Sequence, residues 1–187
     1  VVKKRFAVFA DRDGVINKEV DNLHRIEDLE ILPRVPKAIK LLNQHQIPFI
    51  VITNQPVVAR GWLTEEGVQR IHDKIQEILH AQGVEIDRFY FCPHHPNADL
   101  KKYRVVCDCR KPAIGLFKKA AKDFGVDLKK SYIVGDSFRD IEAGKQLGAT
   151  AIFVKSGARD LRGSTPNYSF KDLYEVVKFI LKREKIA

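Results

Sequence analysis

Residues 6–10, Phe-Ala-Val-Phe-Ala, form an unbroken apolar run that stops at Asp11-Arg12-Asp13-Gly14. No other stretch restricts the fold as tightly. A run that is apolar at every position, rather than at every second one, predicts a strand covered on both faces, as in the middle of a parallel sheet. Open α/β sheets bind their ligands at the carboxyl ends of such strands. Two carboxylates placed there repel each other unless a cation or a shared proton offsets the charge. A strand followed by an Asp/Gly turn is the alternative reading of the same residues.

The remainder of the chain repeats the alternation of strand and helix. A helix is expected over Pro36–Gln46, with Ala38, Ile39 and Leu42 on one face. Pro48–Thr53 is a second apolar strand, and it ends in Thr53-Asn54-Gln55. Thr64 caps a helix with Glu65 and Glu66 in its first turn; Val68, Ile71, Ile75, Ile78 and Leu79 form its buried stripe, and Gly83 stops it. Arg88–Cys92 is a third strand, after which residues 93–112 show no period. A helix over Ala113–Phe124, a strand over Ser131–Val134, a helix over Arg139–Leu147 and a fifth strand over Thr150–Val154 follow. The last helix starts at about Lys171 and buries Leu173, Val176, Val177, Ile180 and Leu181. With no repeat or linker, residues 1–187 are expected to form one α/β domain, a Rossmann-like three-layer sandwich around a central parallel sheet. A chain of this length buries roughly 70% of its unfolded surface, enough for a proper core.

Composition narrows the function classes. No apolar stretch approaches the length of a membrane span and no signal-peptide pattern opens the chain, so no membrane partner and a cytoplasmic location are expected. Methionine is absent even at residue 1, which suggests a chain cut from a longer polypeptide. The net charge of +9 favours anionic partners. The positive charge is spread along the sequence, and Lys178, Lys182 and Lys185 read as the solvated face of the last helix. Small phosphorylated molecules therefore fit at least as well as nucleic acid, which remains a second reading from a different class.

The three cysteines, Cys92, Cys107 and Cys109, cannot all pair within one chain. With His94 they give three sulfurs and an imidazole in a CxH and CxC arrangement, the ligand count of a closed structural zinc site. Such a site would order the aperiodic loop 92–109, with binding worth on the order of 10 kcal/mol, and would present Arg110 and Lys111 directly after its last ligand. His95 is adjacent but is not counted among the ligands. His24, His45, His72 and His80 are scattered and read as ordinary.

Parallel strands bring their carboxyl ends to one edge, so Asp11 and Asp13, Thr53 and Asn54, Arg110 and Lys111, and Asp136 are expected to converge. Taken in order, DRDG, TNQ, RKP and VGDSxxD resemble the motifs of the haloacid dehalogenase superfamily, over Arg5 to about Val154. Within that superfamily the chain is most similar to the phosphatases of D-glycero-D-manno-heptose 1,7-bisphosphate, with histidinol-phosphate phosphatases as neighbours. The resemblance implies a monomeric enzyme without a large cap that removes the 7-phosphate during nucleotide-activated heptose biosynthesis. It also implies a set of roles. Asp11 would be the nucleophile. Asp13 would be the general acid and base, protonated at the start. Mg²⁺ would be held by Asp11, Asp136 and the backbone carbonyl of Asp13. Thr53 and Lys111 would bind the phosphoryl oxygens. Glu19, Asn22, Asn54, Gln55, Arg60 and Arg110 would recognise the sugar phosphate. Asp140 is either a partner of this site or an exposed helix residue.

Two positions depart from the family pattern. Pro56-Val57-Val58 follows TNQ where a small residue and glycine are usual, and Ser137 follows Asp136 where lysine is common. The first alters the loop that carries Gln55, and the second removes a phosphate-facing charge.

Overall fold

The computed structural model describes residues 5–157 and 159–186. Its strands are β1 (Val8–Ala10), β2 (Phe49–Asn54), β3 (Arg88–Cys92), β4 (Tyr132–Gly135), β5 (Thr150–Val154) and β6 (Tyr168–Phe170). All pair in parallel in the order β3-β2-β1-β4-β5-β6. The first apolar run is thus central, with Val8 opposite both Phe49 and Tyr132. The helices are α1 (Val35–Gln44), α2 (Pro56–Ala59), α3 (Glu65–His80), α4 (Gly115–Phe124), α5 (Phe138–Leu147) and α6 (Leu173–Arg183).

Alternation along β1 explains the three layers. Val8 and Ala10 pack with Ile39 and Leu42 of α1, Ile71 and Ile75 of α3, and Val177 and Ile180 of α6. Ala7 and Phe9 point the other way, to Phe117 and Ala120 of α4 and Ala143 of α5. Successive strand residues face opposite sides, so both faces of β1 need apolar cover and each gets helices. Every large apolar side chain buried in this way contributes about 1.5–3 kcal/mol.

The local signals act as the sequence suggests at most ends. Thr64 Oγ1 accepts from Gly67 N at 3.1 Å to cap α3, and Asp172 caps α6 by accepting from Glu175 N at 3.2 Å. Several expectations are corrected. α4 begins at Gly115 and α5 at Phe138, each shifted from the expected start. β6 was not foreseen; its three residues carry no buried side chain, so no apolar run announces it. On α3 the buried stripe takes in His72, 1% exposed, while Ile78 is only partly buried.

Pro56 does not distort its loop. It occupies the first position of the short helix α2, where a missing N–H breaks no hydrogen bond, and Gln55 before it is non-helical with φ −119° and ψ 74°. No positive φ is required there. Val57, Val58 and Ala59 are buried against Val68, Ala98 and Tyr103, which fastens the 93–112 loop onto the body. Among the described residues, no helix is long and apolar enough to cross a membrane.

Candidate active site

Asp11 leaves the end of β1 with its N–H donating to Val134 O at 2.9 Å, so the first acid is tied to the neighbouring strand β4. Lys111, from the loop before α4, reaches into the same point. Its Nζ lies 3.0 Å from Asp11 Oδ1 and 2.6 Å from Asp140 Oδ1, and it donates to Ile52 O at 2.7 Å. The ammonium is buried yet has three oxygen partners, which keeps it charged: burial pushes its pKa down, but Asp11 and Asp140 outweigh this and raise it.

Asp140 is therefore a partner of the site and not an exposed helix residue. Its second oxygen accepts from Ser137 Oγ at 2.8 Å, so both carboxylate oxygens are occupied. Ser137, which lacks the expected lysine's charge, holds Asp140 in place. The close approach of Asp140 to β4 also explains Gly135, since a Cβ there would come within 2.1 Å of the Asp140 carboxyl carbon.

Asn54 and Gln55 were expected to meet the substrate. Both line the cavity, and the Asn54 amide and Gln55 Nε2 also have partners within the protein. Asn54 Oδ1 accepts from Lys111 N at 2.9 Å and its Nδ2 donates to Lys111 O at 3.1 Å, an amide clamp on the lysine's backbone. Gln55 Nε2 donates to Thr53 Oγ1 at 3.0 Å and to Asp13 Oδ2 at 2.9 Å. These residues position Lys111, Thr53 and Asp13.

Asp13 departs most from expectation. Its carboxylate accepts from Arg12 Nε at 3.2 Å and Arg12 Nη2 at 2.8 Å, and from Asn17 Nδ2 at 2.9 Å. Burial pushes its pKa up, but the Arg12 guanidinium, with hydrogen bonds from Asn17 and Gln55, holds it below the usual carboxylate range. A cation sits against Asp13 where a like charge was expected to dominate, so without substrate the surroundings favour the carboxylate over the protonated form expected at the start. Arg12 is itself fully buried and was not singled out. The one sign of it is a cation between two acids directly after an apolar strand.

Asp136 directly follows β4 and is 1% exposed, and its Oδ2 has no hydrogen-bond partner among the described residues. Burial, with the Asp11 and Asp140 carboxylates nearby, pushes it up to about 8. Asp11 is also raised, by burial first and by its acidic neighbours, against the pull of Lys111. Gly14 passes close by with φ +79°, and a Cβ there would lie 2.2 Å from Asp136 Oδ2. One oxygen each from Asp11, Asp136 and Asp140 can lie within 4.8 Å of one another. With Asp140 committed to Lys111 and Ser137, Asp11 and Asp136 are the acids left to hold an ion. This all-oxygen donor set and the unpartnered Asp136 oxygen fit a hard divalent cation such as Mg²⁺.

These groups open onto a cavity of ≈170 Å³. Of the expected recognition residues, Glu19, Asn22, Arg60 and Arg110 all line it. Arg159, Arg139 and His95 line it too and were not anticipated, because nothing local in sequence marks a loop or helix residue as facing a cavity. Arg159 pairs with Glu19 and lies 3.7 Å from Asp136 Oδ2. Arg110 donates to His94 O at 3.0 Å, which ties it to the cysteine loop. Burial, and after it the nearby Arg139 guanidinium, lower the pKa of Arg110.

Cys92, His94, Cys107 and Cys109 come together behind this wall, with their ligand atoms within 4.8 Å of one another. Cys109 Sγ is 2.9 Å from Cys92 Sγ and 3.3 Å from His94 Nδ1. The soft S₃N donor set suits Zn²⁺.

The comparisons with known proteins agree with this geometry. Residues 108–176 match a family model described as HAD-hydrolase-like. The D-glycero-alpha-D-manno-heptose-1,7-bisphosphate 7-phosphatase of Photorhabdus laumondii is 40% identical over 150 residues, 80% of this chain and 82% of that protein. The chain belongs to the heptose-1,7-bisphosphate 7-phosphatase family of haloacid dehalogenase-like hydrolases. The beta-anomer enzyme of Rhodopseudomonas palustris is 41% identical over 145 residues, 78% of this chain and 81% of its own. Among solved structures, the D,D-heptose 1,7-bisphosphate phosphatase of B. bronchiseptica, complexed with magnesium and phosphate, superposes with a TM-score of 0.83 at 31% identity. It covers 95% of this chain and 99% of its own.

Proposed function

We propose that this chain is a Mg²⁺-dependent phosphatase that removes the 7-phosphate of D-glycero-D-manno-heptose 1,7-bisphosphate, with residues 1–187 as one catalytic unit and Zn²⁺ ordering the 92–109 loop. One observation carries the reading. Asp11, Thr53, Lys111 and Asp136, from four separated segments, meet at one end of the sheet beside a buried carboxylate oxygen with no hydrogen-bond partner among the described residues. The named relatives and the magnesium and phosphate in the neighbouring structure support it.

In this reading an Asp11 oxygen attacks phosphorus. The P–O bond to the sugar breaks as the Asp11–phosphorus bond forms, and the leaving oxygen takes a proton from Asp13. Asp13 then removes a proton from the water that attacks the aspartyl phosphate, freeing Asp11 and inorganic phosphate. Lys111 and Thr53 stabilise the charge on the transferring oxygens. Mg²⁺, when held by Asp11 and Asp136 with the Asp13 carbonyl, supplies further charge stabilisation and keeps Asp11 ionised. Arg12 holds Asp13 in its basic form before substrate arrives. An incoming phosphoryl dianion raises the affinity of Asp13 for a proton, which Asp13 takes up from solvent before passing it to the leaving oxygen. In the same cavity Arg110, with Arg60 and Arg139, is suited to the second phosphate.

Phosphate release from both anomers of heptose 1,7-bisphosphate, histidinol phosphate and fructose 1,6-bisphosphate, ranked by kcat/KM, tests the substrate. Heptose bisphosphate is expected to lead. Asp11→Asn should abolish turnover while still binding phosphate, and an active Asp11→Asn enzyme would refute the mechanism.

A further inference from the structure

His72 plays no part in the chemistry described so far, yet it is buried and lies beside that chemistry. From α3 its Nε2 faces Arg12 Nη1 at 3.3 Å, at the opposite end of the guanidinium from Asp13. Its ring is stacked on Phe89 of β3, with centroids 4.5 Å apart and planes 14° apart, and meets the edge of Phe91 at 5.7 Å. A guanidinium only donates, so Nε2 must accept and the ring proton sits on Nδ1. Burial and the neighbouring Arg12 cation keep the imidazole well below its ordinary pKa, in the neutral form that can accept.

Nδ1 has no partner among the described residues. A buried donor left in that state costs about 1–3 kcal/mol, so packing alone would be better served by Phe or Leu at this position. The contact an imidazole makes here and a hydrocarbon cannot is the one to Arg12. Arg12 is 0% exposed, and its Nε and Nη2 both go to Asp13, leaving Nη1 as the end that needs an anchor. With Asp13 on one end and His72 on the other, the guanidinium plane is fixed between β1, α3 and β3.

We infer that His72 is a positioning residue for the phosphatase reaction, anchoring Arg12 so that Arg12 holds the Asp13 carboxylate in line with the leaving-group oxygen. The inference rests on the proposed role of Asp13 as proton donor, and its test separates the two. A sugar alkoxide needs that proton to leave, whereas p-nitrophenolate leaves without one. The quantity to measure is the ratio of kcat/KM for heptose 1,7-bisphosphate to kcat/KM for p-nitrophenyl phosphate, both at saturating Mg²⁺.

His72→Phe keeps the stack on Phe89 and removes the acceptor, and should lower this ratio about tenfold, a fraction of what a general acid contributes in full. His72→Gln, whose amide oxygen can accept from Arg12, should recover most of the loss. A general packing defect would lower both substrates alike and would not be rescued by Gln. An unchanged ratio in His72→Phe, with Asp13→Asn lowering it, would overturn the inference and leave the role of Asp13 standing. An unchanged ratio in Asp13→Asn would overturn both. Should His72→Phe not fold, as judged by thermal melting, His72→Leu carries the same comparison.

Discussion

Replacing Lys111 by methionine removes one charge from a group of buried acids and keeps nearly the same shape. In the native protein the ammonium contacts Asp11 at 3.0 Å and Asp140 at 2.6 Å, in a pocket where the lysine side chain is 1% exposed. Breaking a buried pair by removing one partner typically costs about 3–5 kcal/mol. The acids have a way out, since one carboxyl can take up a proton. At pH 7 that costs about 4 kcal/mol for a group with an ordinary value near 3.9. The two figures agree, so Lys111→Met should destabilise the chelator-treated protein by about 4 kcal/mol at pH 7.

The origin of the loss dictates its pH dependence. A carboxyl whose folded pKa lies above its unfolded value binds more protons when native, so stability falls as pH rises between the two values. Removing Lys111 takes away the main influence that lowers Asp11, whose pKa burial already raises. The penalty should therefore shrink by about 1.4 kcal/mol per unit from pH 7 toward pH 5. Urea unfolding in EDTA at pH 5, 6, 7 and 8, for wild type and variant, measures it. A loss below about 1 kcal/mol, or one that does not change with pH, would refute the argument. It would mean that Lys111 is solvated and the acids are not confronting one another.

Two further outcomes follow from the same acids and from the cysteine loop. With metal chelated, wild-type stability should decline as pH rises from the ordinary carboxylate value of 3.8 toward about 8, the window over which Asp136 stays protonated only in the folded state. Saturating Mg²⁺ should reverse most of that decline at pH 8, and thermal melts in EDTA and in Mg²⁺ across this range check both effects. Cys109→Ser should purify without stoichiometric zinc by elemental analysis and should lose much of its kcat/KM, because Arg110 and Lys111 follow that ligand directly. Full activity in a zinc-free variant would dismiss the loop's role in placing them.

The acids at the strand ends were legible because they punctuate apolar runs. A strand buried on both faces turns polar or charged where it emerges, so Asp11, Thr53 and Asp136 are marked in one dimension. The zinc-type cluster was legible for a related reason, since its ligands form two close pairs. Tertiary placement was not legible for residues whose partners lie far along the chain. His72 sits on the α3 stripe four residues after Val68, so its burial could have been read. That it would face Arg12, sixty residues earlier, could not. The same holds for Asp140, whose helix could have turned it to solvent, and for Arg139 and Arg159 at the cavity.

What the amino-acid order determined by itself was the layered sheet, the edge at which its strands end, and the acids and lysine able to gather there. Hydrophobic periodicity and turn chemistry are local and act the same in any context. Only the tertiary structure decided how those groups are charged. It set a cation against Asp13, placed Lys111 between Asp11 and Asp140, and left an Asp136 oxygen with no hydrogen-bond partner among the described residues. The reason is that a charge's energy depends on its distance to other charges and on the water removed around it, and both exist only once the chain has folded.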